Sequence, residues 1–241
     1  MKKLLAIFLA VVFTTLLTLS VSAAVNVVGD PHANYPYLDG YTPAEGSNIL
    51  KGKVIGGATG WDNNPAIGAA AAFNGNHGDC YDQYEPADKS VEERIKTEYP
   101  GMMMEEKYIL TSARVWPTAD ADWQAERMNG AAIQGSNDGE TWVTLYQFTA
   151  PAVVGEHRFY DVTEFENNTG YTMFRYVNLN GHTDCRELQF FGYVAPAAEP
   201  EQPEQPGSPE TADFTVKAVA VAVVMTSAMA AVAVSRKKNA R

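Results

Sequence analysis

The segment Arg127-Met-Asn-Gly-Ala-Ala-Ile-Gln-Gly-Ser-Asn-Asp-Gly-Glu-Thr-Trp142 is the most informative part of the chain. Two strand-like runs, residues 131–135 and 141–148, flank the polar tetrapeptide Ser136-Asn137-Asp138-Gly139. The Asp-Gly pair supplies the positive φ angle that a tight hairpin turn requires. The segment therefore predicts two antiparallel strands joined by a short turn.

The sequence on both sides of this hairpin also reads as short strands separated by turn signals. Residues 174–179 and 186–193 are two such strands, and residues 108–116 form a third. On that third strand, alternation places four side chains on one face: Ile109, Thr111, Ala113 and Val115. The best helical candidate is short, residues 90–98, and begins with the capping-box pattern Ser-x-x-Glu. This density of strands predicts an all-β antiparallel sandwich.

Residues 127–142 resemble the central signature of the discoidin, or coagulation factor 5/8 type C, superfamily, and are most similar to carbohydrate-binding module family 32. Three further stretches agree in order, namely residues 68–76, 174–177 and 187–192, so the resemblance covers residues 51–193. It implies a galactose-binding-like jelly-roll β-sandwich over residues 51–194. Residues 25–50 form an N-terminal extension outside the resemblance, to which no role is assigned.

The N-terminus has the pattern of a secretory signal peptide over residues 1–24. Lys2 and Lys3 precede an almost wholly apolar run from Leu4 to Val21, and Val21-Ser22-Ala23 provides small residues for cleavage. An uncleaved N-terminal membrane anchor is the alternative. Both interpretations send the chain out of the cytoplasm.

The C-terminus has the pattern of an anchor. Residues 195–213 are rich in Pro and Glu and predict an extended linker. Residues 214–234 are apolar enough, and at about 1.5 Å per residue long enough, for a transmembrane helix. Residues 235–241 are a basic tail that favours the cytoplasmic side. The globular part is therefore expected on the extracellular face of the cell surface.

A five-residue motif before the apolar span resembles the sorting signal of Gram-positive surface proteins: Ser208, Pro209, Glu210, Thr211 and Ala212. Sortase cleaves such signals after Thr and joins the protein to peptidoglycan. This chain has Ser and Ala where the family pattern has Leu and Gly. The two open alternatives are sortase processing to the cell wall and a permanent membrane helix.

Composition and motifs exclude several classes of function. The chain carries 29 Asp and Glu against 18 Lys and Arg, a net charge of −11 that repels phosphate backbones, so nucleic acid is not an expected partner. Its 12 Tyr, 10 Phe and 4 Trp are too many for a disordered chain. There is no nucleophile elbow, no metal-type histidine spacing and no phosphate loop. We therefore expect no enzymatic activity.

The family resemblance implies one structural Ca²⁺, held by a loop and by a Glu in the last strand. The matching residues are Asn74, Asn76, Asp79 and Glu187. Their side-chain oxygens are of the type that Ca²⁺ prefers. The family usually has Asp at position 74 and Thr at position 79. An Asn-Gly turn without an ion is the alternative.

The chain's two cysteines flank this implied metal site. Cys80 follows the loop, and Cys185 lies two residues before Glu187 on the same strand face. If loop and strand meet around a cation, the sulfurs approach each other as well, and an exported protein retains disulfides. The expectation is a Cys80–Cys185 disulfide, and two small buried thiols are the alternative.

The resemblance also implies a glycan site in loops at one end of the sandwich. Sugar binding needs aromatic faces for stacking and planar polar groups for the hydroxyls. The loop residues of these types are Trp61, Trp116, Trp123, Arg127, Asn129 and His182. Arg127 is alternatively an ion-pair partner of Asp122 or Glu126, and each tryptophan is alternatively a lid packed on the sandwich.

The resulting hypothesis is a non-catalytic, surface-tethered lectin-like module that binds glycans. Two alternatives remain open: a protein-binding adhesin or scaffold component of the same fold, and a structural envelope protein without a ligand.

Overall fold

The computed structural model describes residues 25–165 and 168–197. The predicted signal peptide, most of the linker, the sorting motif, the transmembrane helix and the basic tail lie outside these residues. Within the described ranges, no helix is long and apolar enough to cross a bilayer. The strands are β1 (Val27–Gly29), β2 (Asn48–Ile49), β3 (Lys53–Gly56), β4 (Tyr81–Asp82), β5 (Pro100–Trp116), β6 (Ala131–Ser136), β7 (Val143–Gln147), β8 (Tyr160–Val162), β9 (Tyr171–Asn178), β10 (Asp184–Cys185) and β11 (Glu187–Val194). The α-helices are α1 (Val91–Thr97) and α2 (Asp122–Ala125).

The strands form a β-sandwich in which β5 belongs to both layers. The first half of β5 pairs with β3 and β9, within the order β1-β3-β5-β9-β6-β7. The second half pairs with β8 and β11, and β11 also pairs with β2. Each of these pairings is antiparallel, as the sequence predicts. One 17-residue strand thus connects the two layers.

The core lies between these layers and is rich in aromatic side chains. Phe174 of β9 and Phe190 of β11 are fully buried, and their ring centroids lie 5.8 Å apart across the layers. Phe73 contacts Phe190 from a short 3₁₀ turn, Ala69–Phe73, which covers one end of the core. Large buried rings of this kind supply most of the apolar area that stabilises such a domain.

A β-bulge changes the predicted face of β5. Opposite β11, the register moves from Ser112 to Leu110 and skips Thr111, whose hydroxyl donates to the carbonyl of Phe191 at 3.1 Å. An extra residue in one strand reverses the alternation beyond it. Leu110, rather than Ile109, therefore joins Ala113 and Val115 in the core, and the prediction of a single regular face was wrong.

Residues 25–50 are part of the sandwich rather than a separate extension. β1 lies beside β3 at one edge of the first layer, and β2 adds to the outer side of β11. Between them, Tyr35 is buried and packs edge-on against Phe73 at 5.8 Å. The folded domain therefore begins before residue 51.

The predicted hairpin and the predicted short helix are both present. β6 and β7 are antiparallel, and Gly139 in the turn between them has a φ angle of +76°. The carboxylate of Asp138 accepts hydrogen bonds from the backbone of Glu140 and Thr141, which lowers its pKa to about 2. Helix α1 begins with the expected capping box between Ser90 and Glu93.

Candidate functional site

One end of the sandwich brings four of the predicted site residues together. The β4–β10 ladder places Asp82 directly opposite Asp184. The turn that follows α2 carries Arg127 above this pair, and the loop after β9 adds His182. Trp61 reaches the same place from a 3₁₀ turn held by a bridge between Gly60 and Gln83.

Arg127 is the central cation of this cluster. Its Nη1 lies 2.6 Å from Oδ2 of Asp184 and 3.3 Å from Oδ1 of Asp82. Its Cζ lies 4.4 Å from the centroid of the Trp123 ring, within cation–π distance. The ion-pair partners are thus Asp82 and Asp184, and the alternative pairing with Asp122 or Glu126 is wrong. The guanidinium is held by two carboxylates while it supports the indole ring.

His182 lies between two carboxylates. Its Nε2 is 2.5 Å from Oδ1 of Asp82, and its Nδ1 is 3.0 Å from Oε1 of Glu85 without the angle of a hydrogen bond. Glu85 is in turn 2.7 Å from a guanidinium nitrogen of Arg94. The Trp61 and His182 ring centroids are 6.3 Å apart. This network fixes the imidazole as a part of the wall.

Asp184 has an unusual environment for a carboxylate. Burial raises its pKa to about 6, although the hydrogen bond from Arg127 and the charge of its guanidinium oppose this shift. Its side chain is 3 % exposed. An unpaired buried charge is costly, so the Asp184 carboxylate depends on its ion pair with Arg127.

Trp123, Arg127 and His182 border an open cleft of about 330 Å³, and Trp61 lies beside it, next to His182. The rings of Trp61 and Trp123 are 52 % and 60 % exposed, so neither is a lid packed on the sandwich. Asn129 lines the cleft and donates to Glu126 at 2.8 Å. The side chains and backbone that complete the lining are Glu126, Asn178, Asn180 and Gly181. The cleft combines exposed aromatic faces with planar polar groups.

Sequence reasoning missed Asn178, which organises the cleft from below. Its Nδ2 donates to the carbonyls of Arg127 and Asn129, at 2.6 and 3.2 Å, and its Oδ1 accepts from the backbone of Asn180. It thereby ties the turn after α2 to the loop after β9. The Asn-Leu-Asn-Gly pattern at the end of β9 was a usable signal for this loop.

Trp116 is not part of the cleft. It ends β5, where its ring lies 3.7 Å from the ring of His77 and 5.1 Å from that of Phe159. Trp116 is half-buried in this aromatic stack, and it does not line the cleft that Trp123 borders. For Trp116, the alternative of a tryptophan packed on the sandwich is therefore correct.

The residues of the implied calcium site do come together. Glu187 is fully buried, its Oε1 accepts from the backbone of Asn76 at 3.0 Å, and its Oε2 has no hydrogen-bond partner in the described part of the chain. Burial raises the pKa of Glu187 to about 8; nearby backbone N–H groups oppose this and Asp79 adds to it. Asn74 donates to both oxygens of Asp79, at 3.1 and 3.0 Å. A buried orphan oxygen beside a second carboxylate fits a hard cation, so Ca²⁺ stays a prediction that these donors support.

A second group of side chains of the kind that bind metal ions lies beneath the cleft, and of these only His182 lines it. Ligand atoms of Asp82, His182 and Asp184 all fall within 4.8 Å of one another. Arg127 already contacts both carboxylates, and its fixed positive charge opposes a divalent ion at that point. We therefore interpret Asp82, His182 and Asp184 as residues that hold the Arg127 guanidinium in position.

The predicted disulfide is wrong, because Cys80 and Cys185 are both free thiols. The β4–β10 register places Cys185 opposite Tyr81, and Cys80 is the next residue along the chain from Tyr81. Burial raises the pKa of Cys80 to about 11 and raises that of Cys185 well above its usual value.

Solved structures with similar folds include several carbohydrate-binding modules. CBM62 from Clostridium thermocellum Xyl5A is 28% identical, covers 61% of this chain and 99% of its own, and has a TM-score of 0.47. An F5/8 type C domain from Bacteroides fragilis is 15% identical, with coverages of 63% and 99% and a TM-score of 0.46. CBM32-3 from a Clostridium perfringens family 31 glycoside hydrolase is 16% identical, with coverages of 61% and 91% and a TM-score of 0.39.

All three TM-scores lie below 0.5, too low to transfer a function to this chain. No protein-family model matches the sequence, and no curated protein matches it.

Proposed function

We propose that the sandwich is a non-catalytic glycan-binding module whose ligand occupies the cleft lined by Trp123 and reaches Trp61, which lies next to His182 at its edge. The observation that carries this proposal is the Trp123 ring: it is 60 % exposed while a guanidinium 4.4 Å away supports it. A large indole kept at the surface by a dedicated contact is suited to stack on the C–H face of a pyranose.

The polar groups of the cleft suit sugar hydroxyls. Asn129 and Asn180 offer amide donors and acceptors, and the N–H groups of Arg127 form a planar fork. The cleft is shallow and open, so it fits a terminal residue of a glycan. We expect dissociation constants of about 0.1 to 1 mM, or about 4 to 6 kcal/mol. Useful attachment then requires many copies on one surface.

We also propose the setting in which this module works. The calcium-type residues Asn74, Asn76, Asp79 and Glu187 would hold a structural Ca²⁺ that fixes their loop to β11 and takes no part in catalysis. The predicted signal peptide, linker and apolar C-terminal segment would carry the domain to the cell surface and anchor it there. The anchor is a membrane helix or, after sortase processing, peptidoglycan.

The alternative function is binding of a protein partner through the same end of the domain. Val153 and Val154 are 59 % and 46 % exposed. Their loop is bonded to α2, because the N–H of Ala152 donates to the carbonyl of Ala125 at 3.0 Å. Apolar surface therefore continues beyond Trp123, and a protein partner would cover more of it than a single sugar.

The test is a glycan array with the wild-type protein and single alanine variants. Trp61→Ala and Trp123→Ala should each weaken binding by about tenfold or more, since each removes a stacking face. Tyr193→Ala is the matched control, because it removes an exposed ring near the far end of β11. Unchanged binding in both tryptophan variants would overturn the site assignment. Surface binding that excess galactose or N-acetylgalactosamine fails to compete would favour the protein partner.

A further inference from the structure

A second cavity, of about 620 Å³, lies on the side of the first layer that faces away from the core. Tyr99 lines it and belongs, with Val177, to an apolar cluster separate from the main core. Helix α1 contributes Ile95 to one wall, and the turn after β6 contributes Trp142 to another. The volume is within the range of small-molecule sites in proteins.

Arg175 of β9 lines this cavity and carries a buried positive charge. It is 5 % exposed, and its Cζ lies 4.1 Å from the centroid of Trp142 and 4.7 Å from that of Tyr99. Its Nε donates to Oε1 of Gln134 at 2.8 Å, and its Nη1 donates to the carbonyl of Ile95 at 2.7 Å. Every one of these partners is a neutral group.

No carboxylate of the described residues lies within ion-pair distance of Arg175, whereas Arg94, Arg114, Arg127, Arg158 and Arg186 each have one. Burial lowers the pKa of Arg175 to about 10, although the contact with Tyr99 opposes this shift. Burying a charge without a counter-ion is expensive, and aromatic faces offset only part of that cost. The domain thus holds a desolvated cation beside a cavity large enough for an anion.

We propose that this cavity binds a small monocarboxylate with an apolar body. The carboxylate would pair with the guanidinium of Arg175, and the body would lie against Trp142, Ile95 and Leu179. Three charged side chains at the rim are exposed: Glu92, Glu140 and Lys96, of which Lys96 lies 4.0 Å from Glu92. Arg175 is the one buried cation of the lining, so the site offers one pairing position for a carboxylate.

This second site is distinct from the glycan cleft. Leu179 lines the cavity, whereas its neighbours Asn178 and Asn180 line the cleft. The end of β9 and the loop after it thus contribute different residues to the two sites, and no described residue lines both. The proposal does not depend on the glycan hypothesis.

The test is an NMR titration of the ¹⁵N-labelled full-length protein with benzoate, using benzamide as the neutral ligand of the same shape. The reporters are the Arg175 Nε–H and the Trp142 indole N–H, which donates to the carbonyl of Gly139 at 3.0 Å. We expect saturable shifts of both signals at concentrations up to about 20 mM, and at least tenfold weaker binding of benzamide. Equal binding of benzamide, or no shift with benzoate, would overturn the proposal.

Ile95→Trp fills the cavity without removing Arg175 and should abolish the benzoate shifts. Lys89→Trp is the matched control, since it adds the same ring at an exposed position before α1 and outside the cavity. It should leave the shifts intact. Shifts that persist in Ile95→Trp would mean that benzoate binds elsewhere. Because Ile95 does not line the cleft, glycan binding by Ile95→Trp separates failure of this proposal from failure of the glycan hypothesis.

Discussion

Nη1 of Arg127 lies 2.6 Å from Oδ2 of Asp184, a carboxylate that is only 3 % exposed. This pair joins the turn after α2 to β10 beneath the cleft. Arg127→Ala leaves the carboxylate buried without its partner and should lower the free energy of unfolding by about 3 kcal/mol. Denaturant unfolding followed by circular dichroism measures this loss.

The double variant Arg127→Ala with Asp184→Asn tests the cause, because it removes the orphaned charge and should recover part of that loss. Trp123→Ala is the control, since it truncates an exposed ring and should change stability by less than about 1 kcal/mol. If Arg127→Ala were as stable as Trp123→Ala, the buried pair would have no structural role. The glycan test accordingly uses the tryptophans rather than Arg127.

Stability should depend on pH and calcium through Glu187. Its pKa rises from 4.5 to about 8 on folding, because the carboxyl is buried. Between these two values the unfolded chain has lost a proton that the native state retains, so without metal the stability falls as pH rises. Ca²⁺ needs the ionised carboxylate, so the increase in Tm on adding Ca²⁺ should grow across the same window.

Thermal unfolding at several pH values from about 5 to 8, with Ca²⁺ or with a chelator, measures this dependence. Glu187→Gln keeps the shape and removes this titration, so it should remove the part of the pH slope above about pH 6, where Asp184 no longer contributes, and abolish the calcium effect. A calcium shift that is the same at every pH, or that survives in Glu187→Gln, would contradict the site.

The thiols of Cys80 and Cys185 should be present but slow to react. Only the thiolate is nucleophilic, and burial raises the pKa of both groups. In the native protein we expect little reaction with a thiol reagent at neutral pH. In denaturant both cysteines should react, with no need for a reducing agent. A chain without reactive thiols in denaturant would establish the disulfide instead.

The role of Gly75 in the predicted calcium loop can be tested against Gly155, a glycine outside the loop with a similar backbone angle. Gly75 has a φ of +71° and Gly155 a φ of +77°. A Cβ at Gly155 meets nothing within 4 Å, whereas one at Gly75 would lie 2.5 Å from the carbonyl oxygen of Asn34. Gly155→Ala should therefore cost about 1 kcal/mol from backbone strain alone.

Gly75→Ala should cost more than Gly155→Ala, and it should also weaken Ca²⁺ binding, because Gly75 lies between Asn74 and Asn76. Chemical unfolding compares the two stabilities, and calorimetric titration with Ca²⁺ measures the affinity. Equal losses of stability in the two variants would show that the Asn34 backbone moves aside for the added Cβ without destabilising the domain.

Sequence patterns predicted the elements whose signals are local. The hairpin between β6 and β7 and the capping box of α1 each depend on residues less than about ten positions apart. The meeting of Trp61, Trp123, Arg127 and His182 followed from treating loop residues as one end of a sandwich. Their binding role stays a prediction.

Features that depend on pairing between distant residues were not predictable in this way. The bulge at Thr111 and the integration of residues 25–50 are consequences of register against β11 and β3. The partners of Arg127, Asp82 and Asp184, are two of 29 acidic residues, and only the β4–β10 ladder distinguishes them. The burial of Arg175 without a counter-ion likewise could not be predicted from sequence, because it depends on how α1 packs against β9.

The pairing of β2 with β11 has a consequence for biosynthesis. Ile49 lies opposite Phe191, so a strand made early can add to the sheet only after the last strand has been synthesised. Until then, the second half of β5 also lacks its partner of eight residues, and an open edge of this kind is prone to aggregation. Completion of the sandwich is therefore a late event in the synthesis of this domain, because it requires β11.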